Sequence, residues 1–332
     1  MEMKKDIYIF SNGDLRRKDN TLFFEGDGKR KYLPVEQIDN IWVFGEVNVN
    51  KHFLDFAAQK EICIHLFNYY GYYSGTFYPR EHLNSGYVIL KQAEHYLDHK
   101  KRIIIAREFV KSSINNILVV LRYYNSRDVD LANNINNIEK YLEEMNNCNN
   151  IEQLMAYEGN ARDIYYSAFS KILKNPNFSF KVRTRRPPRD KINALISFGN
   201  SVLYTVVLGE VYNTFLDPRI GFLHTTNSRR FSLNLDIADI FKPIIVDRVI
   251  FTLINRKMIT EKDFISELGG IVMKENARKA FIQEINAKLE SVIKHPRLNC
   301  NVSYKRLIRL ELYKLQKHIT EGTIYEGFTA KW

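Results

Sequence analysis

Three cysteines in 332 residues, at 63, 148 and 300, exclude a dense disulfide framework and a Cys-based zinc site. No run reaches the roughly 18 uncharged apolar residues of a membrane span. The opening MEMKKDIYIFSNGD is too short and too polar for a secretory signal. The chain therefore reads as reduced, cytoplasmic and without a membrane partner. GDG and LGG are isolated glycine turns with no P-loop context. Neither Gly-x-Ser-x-Gly nor a Cys/His nucleophile pair stands out. What is present is an ordinary globular composition, 45% hydrophobic and 26% charged, with 20 Tyr and 21 Phe. The length suits about two domains with real cores.

The net charge is +11, and it is unevenly placed. The first 80 residues hold eleven charges of each sign, so the whole surplus lies beyond them. A solubility charge would be spread evenly, whereas a polyanion-binding domain segregates it. The same boundary divides the secondary-structure signals. Before it come short β-rich runs, DIYIF, TLFF, NIWVF and EICIHLF, with Asn12-Gly13 and Asp27-Gly28 as hairpin cues and KHFLDFAAQK as one helix. This is a small β domain, a sandwich or rolled sheet. From residue 86 a period of 3.6 dominates. It predicts helices over 86–125, 128–147, 150–174, 190–215, 232–241, 243–256, 260–268, 273–294 and 303–320, with a loose tail after them.

One helix carries a misplaced charge. Residues 151, 154, 158, 161, 165, 168 and 172 form a stripe that is apolar except at Glu158. A bare carboxylate there would cost several kcal/mol or lose its charge, so it needs a strong partner. The partner is either Arg162, at i+4, or a metal ion. Gly159 beside it leaves room for another backbone or a phosphate. Further on, Asp236 and Asp239 stand three apart on a short apolar helix, after His224 and the turn DPRIG. Each has an ordinary reading, a packed histidine and a solvated or helix-terminal acid pair. Together with Glu158 they make a mixed oxygen and nitrogen ligand set suited to Mg²⁺ or Mn²⁺.

Cations surround these acids. KVRTRRPPRDKIN, 181–193, sets Lys181, Arg183, Arg185, Arg186, Arg189 and Lys191 against Asp190 alone. Pro187-Pro188 stiffens the loop, which suits it to a nucleic-acid backbone. Arg229 and Arg230 add two more charges before Asp236. HYLDH places His95 and His99 at i,i+4 but lacks the metalloprotease Glu and reads as an exposed face. The Tyr-rich run from Tyr69 to Tyr78 reads as core or subunit interface.

The blocks YEGNAR, RTRRPP, LDPRIGFLH and RRFSLNLDIADIFKP resemble those of the CRISPR-associated integrase family ("Cas one"), the catalytic subunit of spacer acquisition. IYIFSNGDLRRKDNTL and FYPREHLNSG resemble its type I-B subgroup. The resemblance spans nearly the whole chain. It implies an α+β protein: a β-sandwich dimerisation domain over 1–80, a linker over 81–85, and a large all-α catalytic and DNA-binding domain over 86–332. It implies a homodimer bridged to others by a small ferredoxin-like CRISPR-associated partner. Glu158, His224 and Asp239 match the family's catalytic, metal-binding positions, and Asp236 takes a supporting or second-metal role. Asp239 stands where many relatives carry Glu. Arg183, Arg185, Arg186, Arg189, Lys191, Arg229 and Arg230 would bind DNA. Tyr165 is either a neighbour of the reacting phosphate or core packing. The implied reaction is attack by a DNA 3′-OH on a phosphodiester at a repeat edge. Metal-dependent cleavage of double-stranded, single-stranded and branched DNA goes with it. A branched-DNA repair nuclease and an inactive DNA-binding scaffold are the alternatives.

Overall fold

Eight short strands precede residue 80: β1 Lys5–Ile9, β2 Gly13–Lys18, β3 Thr21–Gly26, β4 Lys29–Leu33, β5 Ile38–Val43, β6 Val47–Val49, β7 Cys63–Phe67 and β8 Tyr73–Phe77. In the computed structural model, which describes residues 4–331 apart from 27, 81–82, 227–230, 268 and 296–297, they form two sheets. Their orders are β1-β5-β7-β8 and β4-β3-β2-β6. Leu15, Leu22, Leu33, Ile41, Phe53 and Ile64 belong to the core between them. Because β5 and β7 run parallel, their link must cross over. Helix α1, Lys51–Gln59, makes that crossing, with the Asn50 side chain accepting from Phe53 N at 3.0 Å.

The two hairpin cues behave differently. β3 and β4 pair antiparallel around Gly28, whose φ is +69°, although Asp27 lies outside the described residues. Asn12-Gly13 makes no hairpin. There the chain changes sheets, β1 pairing with β5 and β2 with β3 and β6. Glycine is required at 13 for close packing, since a Cβ would lie 2.3 Å from the Glu25 carbonyl oxygen.

The chain divides at Asn84/Ser85, and the second unit is mainly helical. Its helices are α2 Gly86–Leu97, α3 His99–Asn125, α4 Ala132–Met145, α5 Ile151–Ser167, α6 Phe169–Leu173, α7 Lys191–Tyr212, α8 Ser232–Phe241, α9 Arg248–Asn255, α10 Glu275–Glu290 and α11 Tyr304–Glu321. The expected helix over 86–125 is two helices, because Asp98 leaves helical geometry and its carboxylate caps α3 at Lys100 N and Lys101 N. The expected helix over 260–268 is a 3₁₀ turn followed by strand β9, Phe264–Glu267, paired with β10, Gly270–Met273. β-branched Ile265, Ile271 and Val272 and the left-handed Gly269 favour that hairpin. A second hairpin joins β11, Val292–Lys294, to β12, Asn301–Ser303.

Helix α3 is the spine, packing on α4, α5 and α8. By length and composition α7 is long and apolar enough to cross a membrane, but 78% of its apolar window is buried inside the protein.

The segment after α11 is not loose. Gly322 ends the helix in the left-handed region, and the chain then packs back on the helical unit, burying Tyr325, Phe328 and Ala330. Tyr325 donates to Glu311 at 2.5 Å, and Phe328 stacks on Phe241 of α8. Buried Asn116 of α3 donates to the carbonyls of Ile240 and Phe328 and accepts from Ala330 N at 2.8 Å. One amide thus ties the strap to the end of α8. Asn116→Ala should lower the stability of the helical unit by about 3 kcal/mol, because it strands three buried backbone groups; urea denaturation reads the loss.

Candidate active site

The loop before α8 is fixed from below by one carboxylate. Asp236, fully buried, accepts from Phe222 N at 2.6 Å and Leu223 N at 3.0 Å on one oxygen. On the other it accepts from His224 N at 3.0 Å and His224 Nδ1 at 2.8 Å. Gly221 permits this approach, since a Cβ there would lie 2.7 Å from Asp236 Oδ2. From above, buried Gln92 of α2 bonds the N–H and carbonyl of Asp217 and the carbonyl of Ile220, and Arg102 of α3 donates to Phe222 O.

The result is an oriented imidazole. A carboxylate only accepts, so His224 Nδ1 carries the proton and Nε2 is left with its lone pair in the neutral ring. Nε2 points to Asp239, 3.9 Å from Oδ2. Burial opposes a charge on His224, but the Asp236 hydrogen bond and the charges of Asp236 and Asp239 outweigh it and raise the ring's pKa above its ordinary 6.5.

Glu158 of α5 approaches from the other side. Arg162, one turn on, donates to Glu158 Oε1 from Nε at 2.6 Å and from Nη2, and reaches Ser113 Oγ at 3.2 Å. Nη2 also lies 3.5 Å from Asp239 Oδ1. Lys242, three residues beyond Asp239, pairs with the same oxygen and sits 4.6 Å over the Tyr204 ring. Burial alone would raise the Asp239 carboxyl, but Lys242, Arg162 and His224 hold it down at about 2. Arg162 and Lys242 are each less than a tenth exposed. The Glu158–Arg162 pair is therefore no surface i,i+4 bridge but part of a buried five-residue charge cluster.

Among the described residues, no three His, Cys, Asp or Glu side chains stand close enough together to hold a metal ion. The chemistry of the donor set nevertheless fits Mg²⁺ or Mn²⁺: two carboxylates and an imidazole nitrogen whose far side is already held by an acid. Arg162 now stands between the two carboxylates.

The remaining predicted residues fall into distinct surroundings. Arg185, Arg186 and Arg189 are exposed on the loop before α7. Arg183 is half-buried, with its fork on Thr184 O, Asn193 Oδ1 and Ser197 Oγ. Lys191 donates to Asn177 O. Arg229 and Arg230 lie outside the described residues. Tyr165 has no exposed surface, stacks among Tyr166 and Phe169, and its hydroxyl faces Asp247. His95 is buried rather than exposed, donating from Nδ1 to Lys91 O beside the His318 ring.

Sequence reasoning missed four supports. Lys242 could have been found from its helical spacing to Asp239. Asn193 follows Asp190 in a capping pattern; buried, it bonds Val182 O, Thr184 N and Arg183 and so shapes the basic loop. That loop is braced by β10, through Ile271 N to Pro188 O at 2.8 Å. Gln92 and Asn116 act on backbone distant in sequence and left no local signal.

A β-rich unit followed by a helical unit with an acid–imidazole cluster and a basic loop defines a distinct two-domain α+β class. A family model described as "CRISPR associated protein Cas1" matches residues 7–287. The CRISPR-associated endonuclease Cas1 2 of Thermodesulfovibrio yellowstonii is 53% identical over 330 residues, 99% of this chain and 100% of that protein. The solved structure of a Cas1 protein from Thermotoga maritima has a TM-score of 0.88 at 45% identity, covering 98% of this chain and 99% of that one. A casposase bound to its integration product shares the fold, with a TM-score of 0.88 at 20% identity over 98% of this chain and 93% of its own. The chain belongs to the Cas1 family.

In the metal-free protein His224 should titrate above 6.5. Its charged form then adds stability that is fully present below 6.5 and is lost as pH rises through the folded value. Asp236→Asn removes the main raising partner and leaves burial opposed only by Asp239, so the titration should move down from its wild-type value; NMR of the imidazole reads both.

Proposed function

We propose that this chain inserts new spacer DNA into a CRISPR array. A 3′-OH of the captured fragment attacks a repeat-edge phosphodiester, and the same site cleaves double-stranded, single-stranded and branched DNA with water as nucleophile. The observation that carries the reading is the turning of His224 Nε2 toward Asp239 by Asp236, with Glu158 brought to the same cluster by another helix. Glu158, His224 and Asp239 would hold Mg²⁺ or Mn²⁺. When bound, such an ion polarises the phosphodiester and activates the attacking oxygen. Asp236 acts by orienting His224: its oxygens are engaged by four donors, which argues against a second-metal role.

Arg185, Arg186 and Arg189 are the loop cations free to take phosphates, with Lys191, Arg229 and Arg230 in support. Arg183 serves them by shaping the loop. Tyr165 belongs to the core. The reading includes a cytoplasmic homodimer formed through the β unit, a small ferredoxin-like CRISPR-associated partner, and the type I-B subgroup. Family membership and the 53% identical endonuclease support it.

The test incubates the protein with Mn²⁺ and a branched DNA bearing a free 3′-OH beside a target strand. A new, longer strand is expected from the wild type. His224→Ala, Glu158→Ala and Asp239→Ala should each lose about a hundredfold or more with the fold intact. Cleavage without joining would support the repair-nuclease alternative, and binding with neither would support a scaffold. Separately, replacing Arg185 and Arg186 together by Ala should reduce the slope of log K against log salt by about 2 in a DNA-binding titration.

A further inference from the structure

Glu158 and Asp239 share one cation, Arg162. Both of its bonds to Glu158 fall on Oε1, and Nη2 also serves Asp239. A dication gathered by Glu158, His224 and Asp239 would compete for those oxygens and repel the guanidinium beside it. Arg162 is less than a tenth exposed, so a displaced guanidinium cannot simply turn into water. A buried guanidinium without a counter-ion is strongly unfavourable.

A buried acid, faced by the Tyr165 hydroxyl but in no ion pair of its own among the described residues, lies within reach of its field. Asp247 is 1% exposed, and neither carboxylate oxygen has a hydrogen-bond partner of ordinary geometry. It ends a π-helical turn, Pro243–Asp247, closed by Asp247 N to Lys242 O at 3.1 Å. The turn has a positional effect. In an unbroken α-helix eight residues would set Asp247 about 80° around the axis from Asp239; one inserted residue reduces this to about 20°. The bulge therefore returns Asp247 to the side where Asp239 meets Arg162.

The groups facing Asp247 are Arg162, Tyr165, Lys242 and Arg183. Burial dominates, and even against these cations it pushes the Asp247 carboxyl up to about 7. Lys242 is committed to Asp239 and Tyr204, and Arg183 to Thr184, Asn193 and Ser197. Arg162 keeps one nitrogen, Nη1, without a partner.

We propose that Asp247 is the counter-ion that receives the Arg162 guanidinium when Glu158 and Asp239 turn to a divalent cation. Arg162 is then the placeholder that keeps the two carboxylates neutralised beforehand, and Asp247 is a positioning residue for metal entry. This rests on the reading of Glu158, His224 and Asp239 as the metal-holding set.

The experiment titrates Mn²⁺ alone into the full-length protein by calorimetry and measures thermal unfolding in chelator. Asp247→Asn should weaken Mn²⁺ binding at least tenfold while leaving the metal-free melting temperature unchanged or raised, because burial already disfavours the charge on that carboxyl and the amide is its neutral counterpart. Arg162→Gln should tighten Mn²⁺ binding, and Asp247→Asn added to it should change nothing further. Unchanged Mn²⁺ affinity in Asp247→Asn, with binding abolished in Glu158→Gln, overturns the exchange and keeps the site. A lowered metal-free melting temperature in Asp247→Asn means a structural role and also overturns it. Wild-type binding by Glu158→Gln overturns the site reading itself.

Discussion

Four donors converge on the Asp236 carboxylate, three of them consecutive backbone N–H groups and the fourth the imidazole they carry. Such a nest has one low-energy arrangement. It fixes the backbone of 222–224 to α8 and sets the ring tautomer in the same act. His224 sits on a loop, and loops otherwise place side chains loosely. Here its direction depends on a helix residue buried among apolar neighbours. The close approach at Gly221 and the Gln92 clamp serve the same fixing.

The second constraint is charge compensation without water. Glu158 and Asp239 are nearly buried, and Arg162 and Lys242 are buried with them. Replacing any one by a neutral group leaves another uncompensated, so the four act as one electrostatic unit. Two of the partners come from the carriers' own helices, at i+4 and i+3. The cluster is thus assembled as soon as α5 and α8 meet across α3. A net-positive domain thus holds two acids without leaving either carboxylate bare.

Much of this was legible in the chain. Glu158 stood out because a period-3.6 stripe made its charge anomalous, and burial along that stripe follows the pattern from Ile151 to Ile172. The division into a β-rich and a helical part showed in periodicity and in charge together. What stayed hidden depends on tertiary choices. Asn12-Gly13 suits a turn, but the strands beside it found better partners in different sheets. Residues 264–273 became a hairpin because they pair with each other and brace the Pro188 loop, a contact no local window contains. Asp247 escaped notice because the π turn shifts its register, and regular spacing assigns it to another face.

The strap over 322–331 adds a condition in time. Asp239 is made some ninety residues before Ala330, and Asn116 joins the end of its helix to Phe328 and Ala330. During synthesis, at about 5–20 residues per second, roughly 5–18 s separate the two. Throughout that interval α8 lacks its last anchor. A chain still attached to the ribosome, or broken off before the strap, therefore holds Asp236 and Asp239 on a helix whose end is not yet clamped.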